Sequence, residues 1–338
     1  MKSVVYDSPE NFEIRDVAVP VAKPGQVLVR LVIAGVCGTD LHLHHGEFGP
    51  TYPLTPGHEM VGEVTALGMG VTSLAVGDLV AINNTEACGF CANCRRARSN
   101  FCLNPVAQGV NAPGGFAEYV VASAELCHLV NDLDPDVAVF AEPTACAVHG
   151  LDMLDMMPGS DTLVFGTGPT GLLLIQLLAR NGAGRLTVAA PTQFKLDIAA
   201  ARGADEVVLI DRDGSDASAE RLQALAPAGF DVVIDATGAL PVLQRTIPLT
   251  RDGGTIFVYG MTRETDQWAI PPYEVFRREL TIKGSFAQCY SFDRSLLALR
   301  QGRVDTSGMI THRFAIHEYA DALKAVADSD CVKAVITP

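Results

Sequence analysis

Residues 162–172 read Thr162-Leu163-Val164-Phe165-Gly166-Thr167-Gly168-Pro169-Thr170-Gly171-Leu172. Apolar residues of strand length run straight into a G-x-G-x-x-G turn, and the apolar stretch that follows, to Asn181, has helical length. Such glycines permit a tight turn, close approach of the backbone to a pyrophosphate and close helix packing, while the helix N-terminus presents N–H donors to the anion. The fingerprint alone is a weak signal. Its surroundings strengthen it: 162–165, 186–190, 206–210, 231–235 and 255–259 read as buried strands, with helical stretches at 170–181, 193–202 and 239–249 between them. That alternation is the pattern of βαβ units on a parallel sheet. Gly166, Gly168, Pro169, Thr170 and Gly171 are therefore candidate dinucleotide contacts, with Thr237 and Lys333 as further candidates.

Sites that hold NAD usually place an acid about 20 residues beyond the glycines to accept the ribose hydroxyls. Here that place is taken by Ala190, followed by Pro191, Thr192 and Gln193, and no acid occurs until Asp197. A 2′-phosphate would not be repelled, and Thr192, Gln193 and Lys195 could bind it. NADP is thus slightly favoured over NAD; the alternative is NAD held by backbone and apolar contacts alone.

Outward from this half, residues 1–146 read as short β segments (26–34, 63–67, 79–82, 116–121) punctuated by Gly and Pro. After a strand at 281–285 come a helix at 293–300, a strand at 310–314, a helix around 317–328 and a strand at 333–337. The expected division is a β-rich domain of 1–146 plus 285–338 around a doubly wound domain at 147–284. A chain of 338 residues suits two domains at about 150 residues each. Lys and Arg number 25 against 39 Asp and Glu, a net charge of −14, which disfavours nucleic acid and anionic lipid as partners. The longest aliphatic run, 172–179, contains Gln176 and falls short of the ~20 residues of a bilayer span. Asp7 and Glu10 stand where a signal peptide would need apolar residues, so a cytoplasmic protein is expected.

Four of the nine cysteines, Cys88, Cys91, Cys94 and Cys102, are spaced C-x2-C-x2-C-x7-C. Four thiolates without water make a closed tetrahedral zinc site of the structural type. Free thiols are one alternative. An iron–sulfur cluster is another, although Leu103 stands where the bacterial cluster motif has proline. A second, dispersed set is Cys37 in Gly35-Val36-Cys37-Gly38-Thr39-Asp40, His58 in Pro56-Gly57-His58-Glu59, and Glu142 in Ala141-Glu142-Pro143. A thiolate, an imidazole and a carboxylate would leave one zinc position open, as a catalytic ion requires. Spacing alone does not establish this site; singly, each residue also reads as a buried small group, a turn histidine or a helix first-turn acid.

Taken together, Cys37-Gly38-Thr39-Asp40, Gly57-His58-Glu59, the four-cysteine loop, Gly114-Gly115-Phe116-Ala117-Glu118-Tyr119, Glu142-Pro143 and the glycine fingerprint resemble the zinc-containing medium-chain alcohol dehydrogenases over essentially the whole chain. Glu142-Pro143 with Val148-His149 resembles the branch of sorbitol, xylitol, arabinitol and threonine dehydrogenases. The resemblance implies a GroES-like catalytic domain plus a Rossmann domain, two zinc ions per subunit, NAD(P) as cofactor and a homodimer or homotetramer. It implies that Cys37, His58 and Glu142 surround the catalytic zinc, with Glu59 beside it or alternating as ligand. Thr39 would contact the substrate oxygen, and His42 would end a proton relay; His44 and His45 read as solvated loop residues. The implied substrate is a polyol oxidised to a ketose. Aliphatic alcohol or carbonyl reduction and threonine oxidation are the alternatives, and a non-catalytic zinc- and NAD(P)-binding sensor is the reading of another class. Animal-type sorbitol dehydrogenases carry Arg-Tyr where Ala287-Gln288 stand here, so the polyol contacts must differ.

Overall fold

The computed structural model describes residues 1–211 and 216–338. The chain divides into one unit of Met1–Ala145, Phe292–Arg300 and Thr306–Pro338, and a second of Cys146–Ser291 and Gln301–Asp305. The return to the first unit thus comes at Phe292 rather than 285. The short stretch 301–305 stays with the second unit because Gln176, fully buried in the helix Pro169–Arg180, brackets Asp305. Its Nε2 donates to the Asp305 carbonyl at 3.1 Å and its Oε1 accepts from the Asp305 N–H at 2.7 Å.

In the second unit six parallel strands lie in the order Glu206–Leu209, Ala183–Ala190, Ser160–Phe165, Phe230–Asp235, Thr250–Val258, Thr281–Gly284. In chain order this is 3-2-1-4-5-6, the doubly wound arrangement, whose direction reverses between the first and fourth strands. Helices cover both faces of such a sheet, which is why Leu163, Val164, Phe165, Val188, Ala189 and Ile234 are all fully buried without alternation. The glycine turn leaves Ser160–Phe165 at this reversal, with Phe165 level with Asp235. The single helix expected over 239–249 is instead two short ones, Leu240–Gln244 and Thr246–Leu249. Pro248 lacks the N–H that would bond the carbonyl of Gln244, so one continuous helix cannot form.

The first unit is built on the long strand Gln26–Val36. It pairs antiparallel with Glu59–Leu67 over most of its length, with Tyr119–Ser123 at its start and with Lys333–Thr337 at its end. Leu79–Ile82, Cys127–Leu129 and Ile310–Ala315 extend this sheet. Val27, Val29 and Leu31 alternate into a core shared with Met60, Val64, Val80, Ile82 and Val120. Val36 joins a second core with Val4, Tyr6, Phe116 and Tyr319. These registers place Gly35 opposite Glu59 on one side and Val335 on the other.

Among the described residues one helical stretch, Pro135–Leu154, is long and apolar enough to cross a membrane by length and composition. It forms no long aliphatic run, because its apolar residues are interrupted by Asp136, Glu142, Pro143, Thr144, His149, Gly150 and Asp152. It is 67% buried inside the protein, as a core helix is, and it carries Asp136, Glu142 and Asp152.

Candidate metal centres and dinucleotide site

In the lobe at 88–102, two short 3-10 turns, Cys94–Arg96 and Ser99–Phe101, fold the loop back so that the four sulfurs converge within 4.8 Å of one another. Cys91 and Cys94 sulfurs are 3.5 Å apart, those of Cys88 and Cys94 4.0 Å. Four ligands about 2.3 Å from a tetrahedral zinc have sulfurs about 3.8 Å apart, so the cluster fits the ion. Backbone N–H groups point at the sulfurs as they do at thiolates: Cys88 N–H to Cys102 Sγ at 3.2 Å, Asn104 N–H to the same atom at 3.4 Å, and Cys94 N–H to Cys91 Sγ at 3.5 Å. The N–H groups of Cys94 and Leu103 bring the Cys91 thiol down to about 6.

The second group forms where one strand ends and another begins. Cys37 follows Gln26–Val36 and caps the helix Gly38–His44, its own N–H bonded to the Asp40 carboxylate at 2.8 Å. His58 and Glu59 open the strand Glu59–Leu67 after a turn at Gly57, whose φ of +95° favours glycine. A Cβ there would also meet the backbone and ring of Phe116 at 2.8 Å, so Gly114-Gly115-Phe116 packs directly on this turn. The ligand atoms of Cys37, His58 and Glu59 lie within 4.8 Å of one another, and His58 and Glu59 are buried. His58 Nδ1 is 3.6 Å from Asp40 Oδ1, an orientation that leaves Nε2 as the ligating nitrogen. Burial would push the His58 pKa down, but Asp40 and Cys37 outweigh it and hold it well above the ordinary value. The surroundings therefore favour a cation at this ring, and a thiolate, an imidazole and a carboxylate are a donor set suited to zinc.

Glu142 sits half-buried in the first turn of Ala141–Leu154 and is not among the three converging donors. Thr39 Oγ1 lies 3.7 Å from the Cys37 sulfur. The His42 ring is hydrogen-bonded through Nδ1 to the Glu47 carboxylate. His45 is exposed and pairs with Glu10, but His44 is half-buried with Nδ1 2.8 Å from the Tyr6 hydroxyl, which in turn meets Tyr319 at 3.1 Å. His44 is thus a packed residue, not a solvated one. Lys333, expected to contact the dinucleotide, is instead fully buried with its ammonium on the Glu59 carboxylate. Burial would lower its pKa, yet Glu59, Cys37 and Asp40 around it raise it. Asp40, Glu47 and the Glu59–Lys333 pair escaped the sequence reading. Only Asp40 carries a local signal, as the acid three residues after a helix cap.

In the second unit Gly166 has φ +106°, and a Cβ there would crowd Thr237 and Ala236. A Cβ on Gly168 would meet nothing within 4 Å, which leaves the N-terminus of Pro169–Arg180 open to an anion. Thr237 donates its N–H (2.9 Å) and hydroxyl (2.5 Å) to the buried Asp235 carboxylate, fixing the neighbouring loop. Ala190 is fully buried at the end of its strand, Pro191 is exposed, and Thr192 caps the helix Gln193–Ala201 with Lys195 in its first turn.

Residues 23–132 match the family model of the alcohol dehydrogenase GroES-like domain, and residues 169–300 that of the zinc-binding dehydrogenases. D-arabinitol dehydrogenase 1 of Uromyces fabae is 40% identical over 100% of this chain and 97% of its own. The chain belongs to the zinc-containing medium-chain alcohol dehydrogenase family. It is a zinc-dependent dehydrogenase with a GroES-like and a Rossmann-type unit. D-altritol 5-dehydrogenase of Agrobacterium fabrum (strain C58 / ATCC 33970) is 35% identical over 87% of each chain. A Sinorhizobium meliloti 1021 structure bound to NADP is 32% identical and superposes with a TM-score of 0.93 over 100% of this chain and 99% of that one.

Proposed function

We propose that this dehydrogenase interconverts a secondary alcohol of a polyol and the corresponding ketose, using NADP at least as well as NAD. The observation that carries the polyol assignment is the 40% identity to a D-arabinitol dehydrogenase across the whole chain. The NADP-bound relative and the absence of an acid at Ala190 support the cofactor. When bound, zinc would supply Lewis-acid polarisation of an alcohol oxygen and NAD(P) would supply a hydride acceptor. Cys37 and His58 hold the metal, with a carboxylate from Glu59 or Glu142 as third ligand, while Cys88, Cys91, Cys94 and Cys102 hold the structural ion. Asp40 orients the His58 ring, Thr39 accepts the hydroxyl proton of the substrate, and His42 passes it to solvent with its ring fixed by Glu47. In the other unit, Gly166–Gly171 cradle the pyrophosphate, and Thr192 and Lys195 face the adenosine ribose. The working form is a homodimer or homotetramer, to be read by light scattering.

The test follows nicotinamide absorbance with a panel of polyols, aliphatic alcohols and L-threonine, each with NAD and with NADP. Turnover concentrated on polyols is the expected result. Turnover of L-threonine or simple alcohols alone would replace the polyol assignment, and binding of zinc and dinucleotide without turnover would favour the sensor.

A further inference from the structure

Asp235 ends the strand Phe230–Asp235, level with Phe165 where the strand order of the second unit reverses. Ligands of doubly wound sheets bind outside the carboxyl ends of the strands at this reversal. Asp235 is nevertheless fully buried; burial raises its pKa, and its Oδ2 has no hydrogen-bond partner. Taking a carboxylate out of water is costly, so the bonds it does make need an account. Oδ1 takes both the N–H and the hydroxyl of Thr237, at 2.9 and 2.5 Å, and Thr237 Oγ1 in turn takes the N–H of Ala239 at 3.0 Å.

Held in this way, Thr237 lies against the glycine turn. A Cβ on Gly166 would stand 2.9 Å from Thr237 Cγ2 and 3.0 Å from the Ala236 carbonyl, and the Ala236 N–H bonds the Phe165 carbonyl at 2.9 Å. On the other side, Tyr259 and Gly260 donate their N–H groups to the Asp235 carbonyl at 2.9 and 2.8 Å, and a Cβ on Gly260 would come within 2.1 Å of the Gly238 nitrogen. The segments that leave Ser160–Phe165, Phe230–Asp235 and Thr250–Val258 therefore interlock around Asp235. We infer that Asp235 is a positioning residue for the dinucleotide: through the Thr237 hydroxyl it latches the turn at 236–238 onto Gly166. The backbone that must approach the pyrophosphate is then in place before the dinucleotide arrives. This rests on the reading of the glycine turn as the dinucleotide site. Asp235 acts without touching the ligand; a site ordered in advance loses less entropy on binding, so a loosened latch shows as weaker affinity.

The test measures binding of NADP and NAD to the full chain by calorimetry, together with amide hydrogen exchange over 166–168 and 236–239 in the dinucleotide-free protein. Thr237→Val keeps the bulk against Gly166 and removes the hydroxyl. It should raise both dissociation constants about ten-fold, the order expected of one hydrogen bond to a charged group, and speed exchange over both segments. Thr237→Ser keeps the hydroxyl and should stay within about three-fold of the parent. Asp235→Asn keeps an acceptor but not the charge and should raise the constants about three-fold. Adding it to Thr237→Val should weaken binding no further than Thr237→Val alone, because the two residues act in one chain. Parental affinity in Thr237→Val would overturn the inference, as would losses that multiply in the double variant. A lowered thermal midpoint with affinity and exchange unchanged would overturn it too, as the mark of a purely structural bond. If Thr237→Val does not fold, Thr237→Ala carries the test with the same expected outcomes. A parent that binds neither dinucleotide would instead refute the reading of the glycine turn itself.

Discussion

The two clusters of metal donors in this chain are made in opposite ways. The lobe takes four identical donors from 88–102, and backbone N–H groups of the same loop serve its sulfurs. The second cluster takes three different donors from the end of one strand and the start of another, with His58 and Glu59 buried, and there Asp40 Oδ1, His58 Nδ1 and both Glu59 oxygens make no hydrogen bond of good geometry. A closed, chemically saturated site contributes folding energy. A site left unsaturated holds reactivity and depends on the surrounding fold to keep it so.

The largest effect that would break this contrast comes from the interior group. His58→Ala should lower kcat/KM by about 10³-fold or more, the several kcal/mol a Lewis acid supplies, with the thermal midpoint close to that of the parent. Next, Cys91→Ala should leave turnover per folded molecule intact but lower the midpoint by about 5–10 °C, and metal analysis should fall from two equivalents to one. If Cys91→Ala were as stable as the parent while His58→Ala unfolded, the assignment of the two roles would be reversed. Asp40→Asn keeps the shape behind His58 but removes its charge, and should cost about 10–100-fold in activity or metal affinity.

In the dinucleotide unit, Ala190→Asp should shift the ratio of kcat/KM for NADP over NAD toward NAD by about 10–100-fold, equivalent to about 1–3 kcal/mol. Because Ala190 is fully buried, the substitution also costs stability, which the ratio of two cofactors on one protein cancels. A parent that already strongly prefers NAD would remove the basis for this expectation. The smallest effect lies away from the metal donors. The His128 ring stacks on Phe292 at 4.6 Å, and its burial lowers its pKa despite Asp293 at 3.0 Å. The unfolded chain therefore binds that proton more readily, so this group's contribution is present above about pH 6.5 and is lost as pH falls toward the folded value. His128→Gln should flatten stability over that window, as read by denaturant midpoints against pH.

What could be read from the residues alone follows the same division. The strands at 79–82 and 333–337, the glycine turn and the cysteine lobe depend on neighbours in the chain, and local pattern identifies them. The convergence of Cys37 with His58 and Glu59 depends on strand register, which no spacing encodes, and the family resemblance supplied it only in outline. The sequence therefore does not show the role of Lys333: its contact with Glu59 exists only once Lys333–Thr337 has paired with Gln26–Val36.

That pairing sets a timetable for biosynthesis. The cysteine lobe can close around its ion once residue 102 has left the ribosome. The interior group lacks its lysine until residues 333–337 have emerged and laid themselves along a strand made some three hundred residues earlier. During that interval the half-built sheet exposes the edge of Gln26–Val36 that Lys333–Thr337 will cover, a point of vulnerability to mispairing. A nascent chain can therefore mature its structural ion long before it becomes a complete catalyst.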